Sequence, residues 1–188
     1  QGGDIEAAAT AAYAKLVAGS FQVGVTGGSL GLLLNADGTK ALQASGGLLV
    51  LAGGFTATAG TASVELNDTG VDFSVANRDI DTDADGTPEY TLTVAAGTAM
   101  NPLQSVTVTG LAVDVAGFVT FGGNFGFRKQ GGDIEAAATA AYAKLVAGSF
   151  EVGVTGGTLG LLLNADGTKA LQASGSLLVL AGGFTATA

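Results

Sequence analysis

Cysteine, histidine and tryptophan are absent from the 188 residues, and proline occurs only twice. Without cysteine there are no disulfide staples and no thiolate metal sites, and the redox compartment is left open. Without histidine or cysteine, the commonest general base and the thiol nucleophile are both missing. A serine–lysine or carboxylate pair would have to carry any catalysis. Lys15 and Lys40, however, lie in regular patterned segments, and no glycine-rich nucleophile turn surrounds a serine. Val23-Gly24-Val25-Thr26-Gly27-Gly28 has closely spaced glycines but neither the P-loop lysine nor the Rossmann spacing. The chain reads as a non-enzyme. Cations are scarce too: seven Lys and Arg face sixteen Asp and Glu, a net charge of −9. That balance argues against nucleic acid, which needs clustered cations to displace its counterions. No run approaches the roughly twenty unbroken apolar residues of a membrane helix, so no membrane span is expected.

What is present is glycine, at 32 residues, and a hydrophobic content of 47%, enough to expect a folded core and not disorder. There is also a long repeat. Gln1-Gly2-Gly3-Asp4-Ile5-Glu6 returns as Gln130-Gly131-Gly132-Asp133-Ile134-Glu135, a period of 130 − 1 = 129 residues. The second copy runs for 188 − 129 = 59 residues, and only Gln22→Glu151, Ser29→Thr158 and Gly47→Ser176 differ. Residues 1–129 are therefore a full unit and 130–188 a partial second one. Both chain ends fall inside the pattern, which leads to the expectation of a longer tandem array. The unit is too long for a solenoid coil and has the size of a domain.

Within the unit, apolar residues alternate with period two, the signature of strands half-buried on one face. Phe21, Val23 and Val25 share a face, as do Ala62, Val64 and Leu66, and Leu92 and Val94. Leu30, Leu32 and Leu34 run into Asn35-Ala36-Asp37-Gly38, whose Asp-Gly pair predicts a hairpin and has too few carboxylates for a metal loop. From Leu111 to Phe127 the apolar residues sit on odd positions, whereas Val106 and Val108 sit on even ones. Something near Gly110 must flip the phase, a bulge or a turn. Residues 4–18 are ambiguous. Alanine propensity, with Asp4 and Gly19 as caps, favours a helix. Alternation of Ile5, Ala7, Ala9, Ala11, Tyr13 and Val17 favours a strand.

Two segments carry a resemblance, Val25-Thr26-Gly27-Gly28-Ser29-Leu30-Gly31-Leu32-Leu33-Leu34-Asn35-Ala36-Asp37-Gly38-Thr39-Lys40-Ala41-Leu42 and Val108-Thr109-Gly110-Leu111-Ala112-Val113-Asp114-Val115-Ala116-Gly117-Phe118-Val119. Both resemble repeats of very large, tandemly repetitive bacterial proteins that are regarded as secreted or surface-attached and adhesin-like. That resemblance implies a strand at residues 5–17, an extracellular or cell-surface location, and neighbouring repeats as the principal partners. The expected fold is all-β: an elongated tandem array of antiparallel domains with hairpins and glycine-rich bends. The alternative is a mostly β fold with one alanine-rich helix at 4–18.

The densest chemistry lies in Asp79-Ile80-Asp81-Thr82-Asp83-Ala84-Asp85-Gly86-Thr87-Pro88-Glu89-Tyr90, with five carboxylates in twelve positions. Aligned on Gly86, it reads D-x-D-x-D-G-x-x-E. Alternate residues in a tight loop aim oxygens at one centre, and calcium takes six to eight of them. Asp81, Asp83, Asp85, the Thr87 carbonyl and Glu89 are the candidate ligands. Asp79 is either an outer partner or paired with Arg78. Leu92 stands where a helix-flanked EF-hand has its closing Glu, so the loop resembles calcium loops set between strands, and Phe73 and Val75 predict a preceding strand. Charge accounting agrees. Residues 68–89 hold seven of the unit's twelve acids and one of its five bases, and crowding them without a counterion destabilises the fold. Asn67-Asp68-Thr69 also matches a glycosylation sequon.

These readings converge on a structural or adhesive repeat module, stiffened by calcium. A carbohydrate-binding β-sandwich that meets glycans or cell surfaces is one alternative. A filament subunit that self-associates through sheet edges is the other.

Overall fold

A computed structural model describes residues 3–181 and 184–188 of the chain. It is all-β. Twelve strands follow in order: β1 (Ile5–Ala18), β2 (Phe21–Leu34), β3 (Lys40–Ala52), β4 (Phe55–Thr69), β5 (Arg78–Ile80), β6 (Tyr90–Leu92), β7 (Thr98–Val115), β8 (Val119–Gln130), β9 (Asp133–Ala147), β10 (Phe150–Leu163), β11 (Lys169–Ala181) and β12 (Phe184–Thr187). Ten of them form one antiparallel sheet in chain order, a meander interrupted only by β5 and β6, which make a small sheet of their own. Among the described residues no helix is long and apolar enough to cross a membrane.

Residues 4–18 resolve as strand. Ile5 pairs with Leu34 and Ala18 with Phe21, so the cross-strand partners in β2 override alanine's helical propensity. The tight connections match their turn chemistry. Gly38 N–H donates to Asn35 C=O (2.9 Å) in the expected Asn-Ala-Asp-Gly turn, and the same bond recurs from Gly167 to Asn164 (2.9 Å). The phase change is a bulge: the register between β7 and β8 shifts between Val108 and Leu111, and Gly110 has φ +66°, a conformation that L side chains rarely adopt. Similar shifts cross β1–β2, β2–β3, β3–β4 and β8–β9, so the irregularities form a band across mid-sheet. Ala11 (φ 48°) and Ala140 (φ 50°) occupy this band at equivalent places in the two copies. The bulge at Ala11 also breaks the unbroken alternation expected through β1.

Phe73 and Val75 do not lie in a strand. Asp72 C=O accepts from both Val75 N–H (3.3 Å) and Ala76 N–H (3.1 Å), and Asp72 Oδ1 accepts from Ser74 N–H (3.0 Å). An aspartate that caps its own turn outcompetes the short apolar alternation there.

The two copies match element for element: β9, β10 and β11 reproduce β1, β2 and β3. Between the copies the sheet does not stop. Gln130 pairs with Asp133 across the Gly131-Gly132 turn, and pairing continues to Val119 with Leu145. Among the described residues, β5 and β6 are the strands that approach closely across the sheet, over β1, β2 and β3. The deepest burial is therefore local. Leu33, Ala41, Phe73, Ile80, Leu92, Val94 and Leu103 form one apolar cluster where residues 70–97 cover the ends of β1–β4 and β7. Elsewhere large apolar groups such as Leu16, Phe121 and Val154 remain exposed.

Candidate functional site

The seat beneath β5–β6 is built from rows of cross-strand partners, which by the pleat point to the same face. Glu6, Leu33, Ala41, Asn67 and Leu103 make one row across β1, β2, β3, β4 and β7. Ala8, Gly31, Gln43 and Glu65 make the next row on that face. Ile80 and Leu92, each fully buried, fill the space above them together with Val94 and Phe73. Each such side chain contributes about 1.5–3 kcal/mol of transfer free energy. The Tyr90 ring lies against Gly31 so closely that a Cβ there would stand 2.2 Å from Cδ1. Burial raises the Tyr90 phenol pKa above 10.0, partly offset by the Ser29 hydroxyl, while the Glu65 charge pushes it further up.

Polar groups fix the orientation. Arg78 forms an ion pair with Glu6. Gln43 Oε1 accepts from Thr93 N–H (3.1 Å), and its Nε2 donates to Glu65 Oε1 (3.1 Å). Asn67, fully buried, ties the insertion's two ends: its Nδ2 donates to Val71 C=O (2.8 Å) and Ala95 C=O (2.9 Å). Its Oδ1 accepts from Thr69 N–H (3.0 Å) and Thr69 Oγ1 (2.8 Å). With its amide committed in this way, the sequon at Asn67 presents no group to a sugar.

The carboxylate loop spans the tip between β5 and β6. One carboxylate oxygen each from Asp81, Asp83 and Glu89 lie within 4.8 Å of one another. Oxygens on a shell of radius about 2.4 Å around calcium are at most about 5 Å apart, so the triad is compact enough to share one ion. Backbone N–H groups hold these carboxylates in place. Asp81 Oδ1 accepts from Ala84 N–H (2.7 Å) and Oδ2 from Gly86 N–H (3.0 Å). Asp83 Oδ1 accepts from Asp85 N–H (3.2 Å), and Glu89 Oε2 from Thr82 N–H (2.7 Å). Gly86 takes φ +87° at the turn, as its place in the pattern requires. Asp85 is not gathered into the triad; its Oδ1 accepts from Thr87 N–H (2.7 Å) instead. Asp79 sits in β5 and accepts from Thr91 Oγ1 (2.7 Å), while the Arg78 side chain goes to Glu6. Among the described residues, no Lys or Arg forms an ion pair with any of the five loop carboxylates.

The Asp37 turn is self-contained. Asp37 Oδ1 accepts from Thr39 Oγ1 (2.6 Å) and Thr39 N–H (2.9 Å), and these bonds lower its carboxyl pKa below 3.8. Asp166 repeats this with Thr168.

Pattern reading found the loop but missed the seat. Gly31 and Gln43 carry no motif and Asn67 only the sequon, and Arg78, with Asp79 beside it, gave no sign that its partner would be Glu6. Comparison with protein-family models finds no match, and neither a curated protein nor a solved structure matches the chain.

Proposed function

We propose that the chain is a structural module of a tandemly repeated, extracellular bacterial surface protein, in which each copy extends one continuous sheet and bears one calcium-braced hairpin. The observation that carries this reading is the pairing of β8 with β9, which lets one repeat hand its sheet to the next without a linker. Repeats joined in this way act as a stiff spacer or adhesive bead. The absence of histidine and cysteine supports a role without catalysis.

Calcium is the second element of the proposal. Asp81, Asp83 and Glu89 would hold the ion, with Asp85, the Thr87 carbonyl and water completing the shell. The ion neutralises clustered charge in the loop that links β5 to β6 and so fixes the hairpin on its seat. Affinity on the order of 0.1–1 mM, usual for extracellular modules, keeps such a site filled outside cells. Thermal melting with and without millimolar calcium tests this part. The melting temperature rises with calcium in the parent chain and not in an Asp81→Asn, Asp83→Asn variant. Equal melting with and without calcium in the parent sinks the calcium proposal.

A further inference from the structure

The part of the hairpin seat that β1, β2 and β3 supply occurs twice on the same face of the sheet, and among the described residues only the first is covered. Adding 129 to Glu6, Ala8, Gly31, Leu33, Ala41 and Gln43 gives Glu135, Ala137, Gly160, Leu162, Ala170 and Gln172, all identical in type. The pairing is reproduced as well, since Leu162 lies opposite both Glu135 and Ala170. Both seats face the same way because Glu135 lies opposite Arg128, Arg128 opposite Ser105, and Ser105 opposite Glu65. In the first seat Gly31, Leu33 and Ala41 are buried; in the second Gly160 and Ala170 are exposed and Leu162 is half-buried. Where the Tyr90 ring crowds Gly31, nothing lies within 4 Å of a Cβ built on Gly160. A shallow hollow of ≈ 490 Å³ stands over Gly160, Leu162, Ala170 and Gln172.

We propose that this hollow is the docking seat for a second hairpin of the 70–97 sequence, supplied by the remainder of the second copy of the repeat. Each contact that the first hairpin makes with β1, β2 and β3 has its counterpart on β9, β10 and β11, whereas those of Asn67 and Leu103 belong to β4 and β7. Gly160 leaves the dimple for the tyrosine ring and Gln172 the amide for the threonine; Glu135, which here pairs with Arg128 at 3.6 Å, is the carboxylate that the arginine would share. Leu162 and Ala170 supply the apolar floor for the isoleucine and leucine. Of the three differences between the copies, Ser29→Thr158 is the one beside the seat, and it keeps the hydroxyl. Thr158 Oγ1 lies 2.7 Å from Ser174 Oγ, as Ser29 Oγ lies 2.9 Å from Ser45 Oγ. Residues 70–97 of this chain, or of a second molecule, gain nothing by moving there, because they would vacate an identical seat. A hairpin that completes the second copy has no such loss. This inference rests on the tandem-repeat reading but not on calcium.

The test uses the absence of native cysteine. Ala170→Cys is placed in the 188-residue chain, and in a chain extended after Ala188 by a second copy of residues 60–129, with circular dichroism reporting the added strands. Thiol labelling of residue 170 is expected to slow by about tenfold or more in the extended chain, approaching the rate of an Ala41→Cys control. Gly160→Val, which fills the ring's dimple, restores fast labelling in the extended chain while the strand signal is kept. Equal labelling in both chains overturns the proposal, as does continued protection in the Gly160→Val variant. Concentration-dependent protection in the 188-residue chain also overturns it, since a second molecule would then be the occupant. Added strands that fail to form count against it too, because the same sequence folds in the first copy. Loss of protection at residue 170 with the β8–β9 pairing intact would defeat this inference alone and leave the continuous sheet standing.

Discussion

Three residues decide how residues 70–97 are held, and each gives a measurable outcome. Asn67 satisfies four partners from a fully buried position. Asn67→Ala strands the Val71 and Ala95 carbonyls without donors, at a cost of about 1–3 kcal/mol for each buried group left unpaired. Urea denaturation should show a lower midpoint, whereas Met100→Ala, at a site 86% exposed, should change the stability by less than about 0.5 kcal/mol. Gly31 matters for what it lacks: Gly31→Val would collide with Tyr90, and an overpacked contact costs about 1–3 kcal/mol. Tyr90 itself makes docking sensitive to alkali. Its folded pKa lies above the 10.0 of an exposed phenol, so the undocked chain gives up the proton first. Docking is undiminished below that pH and weakens as pH rises through the folded value. Ultraviolet difference titration against Tyr90→Phe should find this phenol ionising at higher pH in the folded chain than in urea; coincident titration in the two conditions would contradict a seated ring.

Among the elements, the β5–β6 hairpin is the one whose stability is conditional. Its strands have three residues each, too short to persist without the sheet below or a brace at the tip. Limited proteolysis should cut between Asp81 and Glu89, millimolar calcium should slow the cut, and Glu89→Gln should remove that protection. How far these elements could be read in advance depended on where the information lay. The Asn-Ala-Asp-Gly turns, the alternating strands and the phase change at Gly110 are local, set by residues adjacent in the chain. Tyr90 on Gly31 and Arg78 on Glu6 join residues 59 and 72 positions apart, and nothing in either partner's surroundings announces the other. Phe73 and Val75 misled because alternation over so few residues is weaker than an aspartate capping its own turn. Asp85 had the right spacing for the triad, but its carboxylate caps the Thr87 N–H.

At the scale of the whole molecule, a sheet that follows chain order across a repeat boundary grows by addition. Its stability is then a sum of neighbouring strand pairs, and so any weak point would be the Gly131-Gly132 turn. Native-state hydrogen exchange followed by NMR tests this most directly. The pairing of Phe125 with Ala138 and Phe127 with Ala136 predicts that strand amides on both sides of the boundary exchange only by opening comparable to that of β2–β3. Fast exchange confined to residues 125–138, with β2 and β3 still protected, would show two beads on a hinge and contradict the continuous sheet.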